Sequence, residues 1–394
     1  MNQTGFTEGN KLRLLCSGSA FFPALERAID AATSEIHLET YIFKDDSIGH
    51  RIAAALIRAA RRGVSVHLLI DGYGSYHLPG IFIQNLLNAN IKLLIYRRED
   101  FFFRFRRYRL RRMHRKLAVI DARIAFVGGI NIVSDYDHPH ERIPRLDYAV
   151  LIEGPILEKI DYAARHLWMI VAWAHFRKRW VNKKKWAISL TPKGNQPAGF
   201  LIRDNLRHRH DIEHAYLDAI NQANTEIIIA NAYFLPGRHF CNALNKAARR
   251  GVSVILLLQG KIEYRLQHYA THALYGNLLD AGIKIYEYNR NYLHAKVAVI
   301  DRYWSTVGSS NIDPFSLMLA REANLVIMDK AFAHQLRTNL MQAITQESTP
   351  VIRFHWRSQS WLYHALYRFC YFVIYYAQSI LGYGYKEMQH HNVL

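Results

Sequence analysis

Only three cysteines, Cys16, Cys241 and Cys370, occur in 394 residues, far apart and without C-x-x-C spacing. That scarcity excludes a disulfide framework and a cysteine-only zinc site, and it suits a reducing cytosolic setting. Residues 1–10 contain no basic stretch followed by an apolar run, so no signal peptide is expected. No charge-free apolar run is long enough to cross a bilayer by itself. Acidic residues are also in short supply: 32 Asp and Glu face 51 Lys and Arg, for a formal net charge of +19. The deficit predicts an anionic partner, whether nucleic acid, an anionic membrane surface or an anionic substrate. What is abundant is apolar and aromatic. Half of the residues are hydrophobic and 13% are aromatic, which excludes a disordered chain and allows a sizeable core. Aromatic and basic residues together suit both a membrane interface and a single-stranded nucleic acid groove.

The length fits two ordinary domains or one duplicated fold, and the sequence favours duplication. Residues 59–66, Ala-Ala-Arg-Arg-Gly-Val-Ser-Val, recur without change at 247–254. In each copy an amphipathic helix stops at a glycine, Gly63 or Gly251, and an apolar strand follows. The strands before the repeat also correspond, Glu35–Phe43 with Glu226–Phe234, as do the strands after it, Ile91–Tyr96 with Ile283–Tyr288. Strands alternating with helices predict an α/β class. The expected organisation is a first half over residues 1–181, a linker over 182–197 rich in Lys and Pro, a second half over 198–350, and an aromatic tail over 351–394. Two similar halves suggest pseudo-two-fold symmetry with a site at their interface.

Chemistry concentrates in one motif that both halves carry. His114, Lys116 and Asp121 are followed by Gly128, Gly129 and Asn131; His294, Lys296 and Asp301 are followed by Gly308, Ser309 and Asn311. On an extended strand, residues two apart share a face, so each His projects beside its Lys. Imidazole serves as nucleophile or general acid and base near neutral pH. Lysine offsets charge on the non-bridging oxygens of a phosphodiester in its transition state. Glycine, serine and asparagine beyond the next strand let backbone and small polar groups approach the phosphate. One histidine would attack phosphorus while the other protonates the leaving alcohol and then deprotonates the acceptor.

On these residues the chain resembles the phospholipase D superfamily, and from Leu12 to about Pro350 it is similar to the bacterial cardiolipin synthases of the B type. Leu38–Phe43, Asp71–Ser75, Arg112–Lys116 and Val307–Pro314 extend the resemblance. The resemblance implies a duplicated phospholipase D-like fold of two α/β/α halves. It also implies that two phosphatidylglycerols are joined into cardiolipin with release of glycerol, without a metal or other cofactor. His114, Lys116 and Asp121, with His294, Lys296 and Asp301, would be the two catalytic sets, the aspartates mainly orienting local structure. Asp147 and Glu322 match acidic partners expected to hold the histidines, and His114 is the expected nucleophile. The partners implied are phosphatidylglycerol and a membrane surface, with nucleic acid and a protein partner not expected. The location implied is peripheral, on the cytoplasmic face of the bacterial inner membrane.

Four other segments carry weaker signals. His210, Glu213 and His214 have the H-x-x-E-H spacing of a helical zinc site, but no third ligand is suggested and surface histidines are expected. Residues 97–115 form an insertion in the first half, nine arginines interleaved with Phe101, Phe102, Phe103, Phe105 and Tyr108. It reads as a basic lip over the site or as a solvated loop. Leu167–Trp180, with Trp168, Trp173 and Trp180, reads as an interfacial helix with a basic flank or as a capped core helix. In Trp361–Tyr385, His364, Arg368, Tyr371, Tyr375, Gln378 and Gly382 draw a narrow polar stripe down an apolar helix, which lies in a membrane plane or packs on the domain. The same two histidines would also serve a phospholipase D-type hydrolase or a nuclease; the tail and the tryptophan-rich helix favour lipid.

Overall fold

The computed structural model describes residues 5–97, 111–135, 144–181, 190–204, 207–313 and 320–380. Residues 98–110 of the basic insertion, the proposed linker's residues 182–189 and the tail beyond residue 380 lie outside them.

The strands of the first half are β1 (Thr7–Cys16), β2 (Glu35–Thr40), β3 (Ser65–Asp71), β4 (Lys92–Tyr96), β5 (Lys116–Ile120), β6 (Ile124–Gly128) and β7 (Tyr148–Glu153). Its helices are α1 (Ser17–Asp30), α2 (Ser47–Arg61), α3 (Gly80–Asn88) and α4 (Leu157–Ala174). The second half repeats the series as β8 (Gln196–Arg203), α5 (Asp211–Gln222), β9 (Glu226–Asn231), α6 (Arg238–Arg249), β10 (Ser253–Gln259), α7 (Arg265–Asp280) and β11 (Lys284–Tyr288). It continues through β12 (Lys296–Ile300), β13 (Trp304–Gly308), β14 (Glu322–Met328) and α8 (Lys330–Glu347). A short β15 (Ser348–Pro350), α9 (Arg353–Arg357) and α10 (Trp361–Ile380) follow.

The fifteen strands of the described residues form one sheet, ordered β15-β11-β10-β9-β12-β13-β14-β8-β1-β7-β6-β5-β2-β3-β4. Read outward from the central β8–β1 pair, both sides give the same series. β2, β3 and β4 pair in parallel, as do β9, β10 and β11, joined by helices; the strands nearer the centre pair antiparallel. Sequence logic accounts for the repeat locally. Asp46 caps α2 by accepting from the N–H groups of Ile48 and Gly49. Ile52, Leu56 and Ala59 bury one face of α2, and Gly63, at φ +90°, turns the chain into β3. Gly251, at φ +92°, does the same before β10.

One hydrophobic core is shared. Leu117, Val150 and Ile160 of the first half pack in the same cluster as Ile228, Val297 and Leu336 of the second, so the halves are joined by buried apolar surface as well as by β1–β8 pairing. Separate clusters beneath α1 and α2, and beneath α5 and α6, fill the outer faces.

In the tryptophan-rich segment Trp168 is buried against Leu69, Leu94 and Met113, as the core reading expects, whereas Trp173 is 53% exposed with Lys178 Nζ 4.3 Å from its ring centre. Helix α10 packs on the domain along one side, as one reading of the tail expects. Tyr367, Cys370 and Ile374 pack on α7, while Trp361, Leu362, Phe369 and Phe372 are exposed on the far side. The apolar arc is wider than one packed face needs. One part of it covers α7 and the rest stays at the surface, with Arg368 exposed between them.

Candidate functional site

The two motif histidines stand just before β5 and β12, where each chain segment is bonded to the opposite half. His114 N–H donates to Arg321 O at 2.9 Å, and Arg321 N–H donates to Arg112 O at 2.7 Å. Correspondingly, His294 N–H donates to Leu146 O at 2.8 Å, and Leu146 N–H donates to Tyr292 O at 3.0 Å. These bridges place the residue following each acceptor against the facing imidazole. His114 Nδ1 lies 2.9 and 3.0 Å from the two carboxylate oxygens of Glu322, and His294 Nδ1 lies 2.6 Å from Asp147 Oδ2. The pairs are therefore crossed: each half supplies the imidazole for the other half's carboxylate. With Nδ1–H turned to a carboxylate, each ring leaves Nε2 free.

Burial sets the charges. His114 is held below the usual imidazole range by burial, against the opposing pull of Glu322, and so carries a neutral, nucleophile-competent ring. His294 is pushed well below that range by burial, then by the ammonium groups of Lys296 and Lys116. Asp147 is drawn up to about 6 by burial, with Lys296 opposing. Near neutral pH this leaves Asp147 ionised beside a neutral His294. Lys116 Nζ donates to His114 O at 2.8 Å, Lys296 Nζ donates to His294 O, and Lys296 Nζ also lies 2.9 Å from His294 Nδ1. Both lysines are buried; burial pushes Lys116 down to about 7 and lowers Lys296 in the same sense.

The small residues make room for the carboxylates. A Cβ on Gly129 would stand 2.3 Å from Asp147 Oδ1. In the second copy that position is Ser309, whose hydroxyl donates to Glu322 Oε2 at 2.5 Å and accepts from Ala323 N–H at 3.0 Å. A Cβ on Gly128 would meet the Ala149 backbone at 2.5 Å, and one on Gly308 would meet Asn324 Oδ1 at 2.1 Å. Asn131 is buried and its Oδ1 accepts from Ile42 N–H at 3.1 Å; Asn311 is buried at the matching place.

Asp121 and Asp301 are not at this site. They stand at the far ends of β5 and β12, and five strand residues alone span roughly 16 Å. Each opens a turn with two successive residues at positive φ, Asp121 with Ala122 and Asp301 with Arg302. Asp121 accepts from the N–H groups of Thr33, Ser34 and Glu35, and Asp301 from those of Asn224, Thr225 and Glu226. They hold the hairpins against β2 and β9.

Tyr41 is a site residue that the motif does not signal. Its ring meets His114 edge-on with centroids 4.8 Å apart, and Lys116 Nζ lies 5.3 Å from its centre. Asp71, fully buried, accepts from Met113 N–H at 2.8 Å and fixes the segment leading to His114.

Away from the site, Glu35, His37 and His67 are the one group of metal-ligating side chains that converges among the described residues, within 4.8 Å. The two imidazoles stack at 4.4 Å with planes 7° apart, so their in-plane lone pairs cannot meet on one ion. Arg165 also occupies Glu35 Oε2 at 2.6 Å. His210 and His214 are on the exposed start of α5, where His210 Nδ1 lies 3.3 Å from Glu213 Oε2.

The family model described as "Cardiolipin synthase, PLD-like domain" matches residues 25–141 and 216–344, one match in each half. The chain is 42% identical to cardiolipin synthase B of Salmonella typhi over 348 residues, covering 88% of this chain and 83% of that protein. It is 42% identical to cardiolipin synthase B of Escherichia coli K12, with 87% and 83% covered, and 30% identical to a cardiolipin synthase of Halalkalibacterium halodurans, with 94% and 72% covered. In fold it is similar to the crystal structure of phosphatidylserine synthase from Haemophilus influenzae, with a TM-score of 0.69, 13% identity and 94% of each chain covered. The duplicated sheet, the paired histidine–lysine motifs and these matches over most of the length place the chain in the phospholipase D-like cardiolipin synthase family.

Proposed function

We propose that this protein transfers a phosphatidyl group between two phosphatidylglycerol molecules, giving cardiolipin and glycerol. The observation that carries the reading is the crossed pairing, which presents two imidazoles with free Nε2 atoms and two buried lysines at one seam. His114 Nε2 attacks phosphorus, the bond to the glycerol oxygen breaks, and that oxygen leaves with a proton from His294. The anionic phosphodiester between the rings, with Asp147 behind, favours the imidazolium that His294 needs at this step. The hydroxyl of the second phosphatidylglycerol then attacks phosphorus, its proton passes to His294, and the His114 nitrogen–phosphorus bond breaks. Lys116 and Lys296 stabilise the non-bridging oxygens, with Asn131 and Asn311 at the same strand ends. Asp121 and Asp301 act only through the strands they hold.

The working place we propose is the surface of the bacterial inner membrane, on its cytoplasmic face. The net charge of +19 attracts anionic lipid, and the exposed Trp361, Phe369 and Phe372 of α10 suit an interfacial depth. No helix among the described residues is long and apolar enough to cross a membrane. The test is purified protein with phosphatidylglycerol vesicles in EDTA, followed by mass analysis of the lipids. Cardiolipin with equimolar glycerol is the expected result. Phosphatidic acid as the sole product would make the protein a hydrolase, and cleavage of single-stranded DNA with lipid untouched would make it a nuclease.

A further inference from the structure

The two catalytic sets differ in what stands beside them. At the end of β2, Tyr41 covers His114. The corresponding position at the end of β9 is Ala232, as the matching bridges Phe43–Ile132 and Phe234–Ile312 establish. Ala232 N–H donates to Ala295 O at 2.9 Å, so it flanks the residue between His294 and Lys296. Where the first half has a phenol ring, the second has a recess open to solvent between the ends of β9 and β10 and helix α7.

The recess is tied to His294 at a second point. Gln259, which lines it, accepts from Leu293 N–H through Oε1 at 2.6 Å, and its buried Nε2 has no hydrogen-bond partner among the described residues. Glu263, also in the lining, accepts from the Tyr233 hydroxyl at 2.6 Å. Burial and the neighbouring His272 push His268 down to about 4, so its ring is neutral at pH 7. Lys261 at the rim has its ammonium 5.5 Å from the centre of the Tyr292 ring. A carboxylate, a neutral imidazole and tyrosine rings suit hydroxyl groups.

We propose that this recess is the alcohol subsite: it seats the neutral, hydroxyl-bearing headgroup that leaves in the first step and the one that attacks in the second. Glu263 accepts from a headgroup hydroxyl, and the recess, flanked by Ala232 and Gln259, brings the reacting hydroxyl to His294. In the second step the acceptor oxygen bonds to phosphorus, its proton goes to His294 Nε2, and the phosphorus–nitrogen bond to His114 breaks. Because the two steps are mirror images, one subsite serves both. The inference rests on the transferase reading above.

The experiment gives full-length protein vesicles of labelled phosphatidylglycerol together with soluble glycerol and, in competition, methanol. The label trapped on the enzyme and the ratio of phosphatidylglycerol exchange to phosphatidylmethanol formation are both measured. Ala232→Tyr should lower the glycerol-to-methanol ratio at least tenfold, because the ring fills the space a triol needs and methanol does not. Glu263→Gln, which keeps the volume, should lower it about fivefold or more, and decides the matter if the tyrosine variant does not fold. An unchanged ratio in folded Glu263→Gln, with label still trapped, would overturn the subsite alone. Absence of trapped label and of both products in the wild type would overturn the transferase reading, and the subsite with it.

Discussion

Glu322→Gln changes one oxygen to an NH2 group, and the surroundings decide which way the new amide faces. The Ser309 hydroxyl accepts from Ala323 N–H, so its own proton is directed to Glu322 Oε2 at 2.5 Å. In the variant that donor keeps the amide oxygen, and the NH2 turns to His114 Nδ1. An NH2 facing Nδ1 requires an unprotonated Nδ1, which moves the ring proton to Nε2 and removes the lone pair that the proposed attack on phosphorus needs. Loss of the correct tautomer in a serine-protease triad costs about 10⁴ in turnover, equivalent to about 5.5 kcal/mol of transition-state stabilisation. The same order is expected here for the single-turnover rate of enzyme labelling by phosphatidylglycerol. Removing the Ser309 hydroxyl as well frees the amide to flip, so Ser309→Ala/Glu322→Gln should recover about 10- to 100-fold, the share that tautomer rather than charge accounts for. Circular dichroism and denaturant midpoints establish that both variants fold. A Glu322→Gln rate within tenfold of wild type would refute the positioning role. A double variant no faster than the single would refute the tautomer argument.

Lys116, pushed down to about 7 by burial, loses its charge in the free enzyme as pH rises through that value. The ratio kcat/KM for phosphatidylglycerol should therefore fall along an alkaline limb near pH 7–8, and a flat profile to pH 9 would count against the phosphate-binding role. The same shift has a stability sign: between pH 7 and 10.5 the unfolded chain binds the extra proton, so stability rises with pH, and Lys116→Met should lessen that rise in urea unfolding. Asp121→Ala removes an acceptor serving three backbone N–H groups and should cost about 2–4 kcal/mol of stability, with turnover per folded molecule kept in the cold; a dead but stably folded variant would return Asp121 to the chemistry. Replacing Trp361, Phe369 and Phe372 by Ser removes exposed aromatic area worth roughly 1.5–3 kcal/mol each when fully buried, so salt-resistant flotation on vesicles should drop at least 100-fold. Unchanged flotation in high salt would remove α10 from the membrane account.

The sequence exposes the duplication because residues 59–66 and 247–254 are identical and each ends a helix on a glycine that the backbone needs. The histidine–lysine spacing is legible for a similar reason: strand geometry puts residues two apart on one face. The crossing of the pairs is not legible. Asp147 and Glu322 were signalled by family resemblance, but which imidazole each faces depends on β1 and β8 meeting at the centre of the sheet, a contact between residues nearly 190 positions apart. Tyr41 lies within the Leu38–Phe43 stretch, but its place beside His114 and its replacement by Ala232 in the second copy are not legible from the repeat, because the site's asymmetry lies where the copies differ. Laying the ends of β2 and β9 side by side is the signal that finds them. In α10 the polar stripe is visible in the sequence. The division of the apolar residues between Tyr367, Cys370 and Ile374 on α7 and the exposed aromatics is not, since both sets satisfy the same helical periodicity.

The most direct test of the account is the chemistry of the trapped intermediate. Protein mixed with phosphatidylglycerol labelled in its diacylglycerol portion is quenched in denaturant within one turnover, digested and mapped. The account predicts the phosphatidyl group on His114, lost in mild acid as a phosphoramidate is, and absent from His114→Asn. Label on Ser309 or Ser310, or label that persists in His114→Asn, would contradict it.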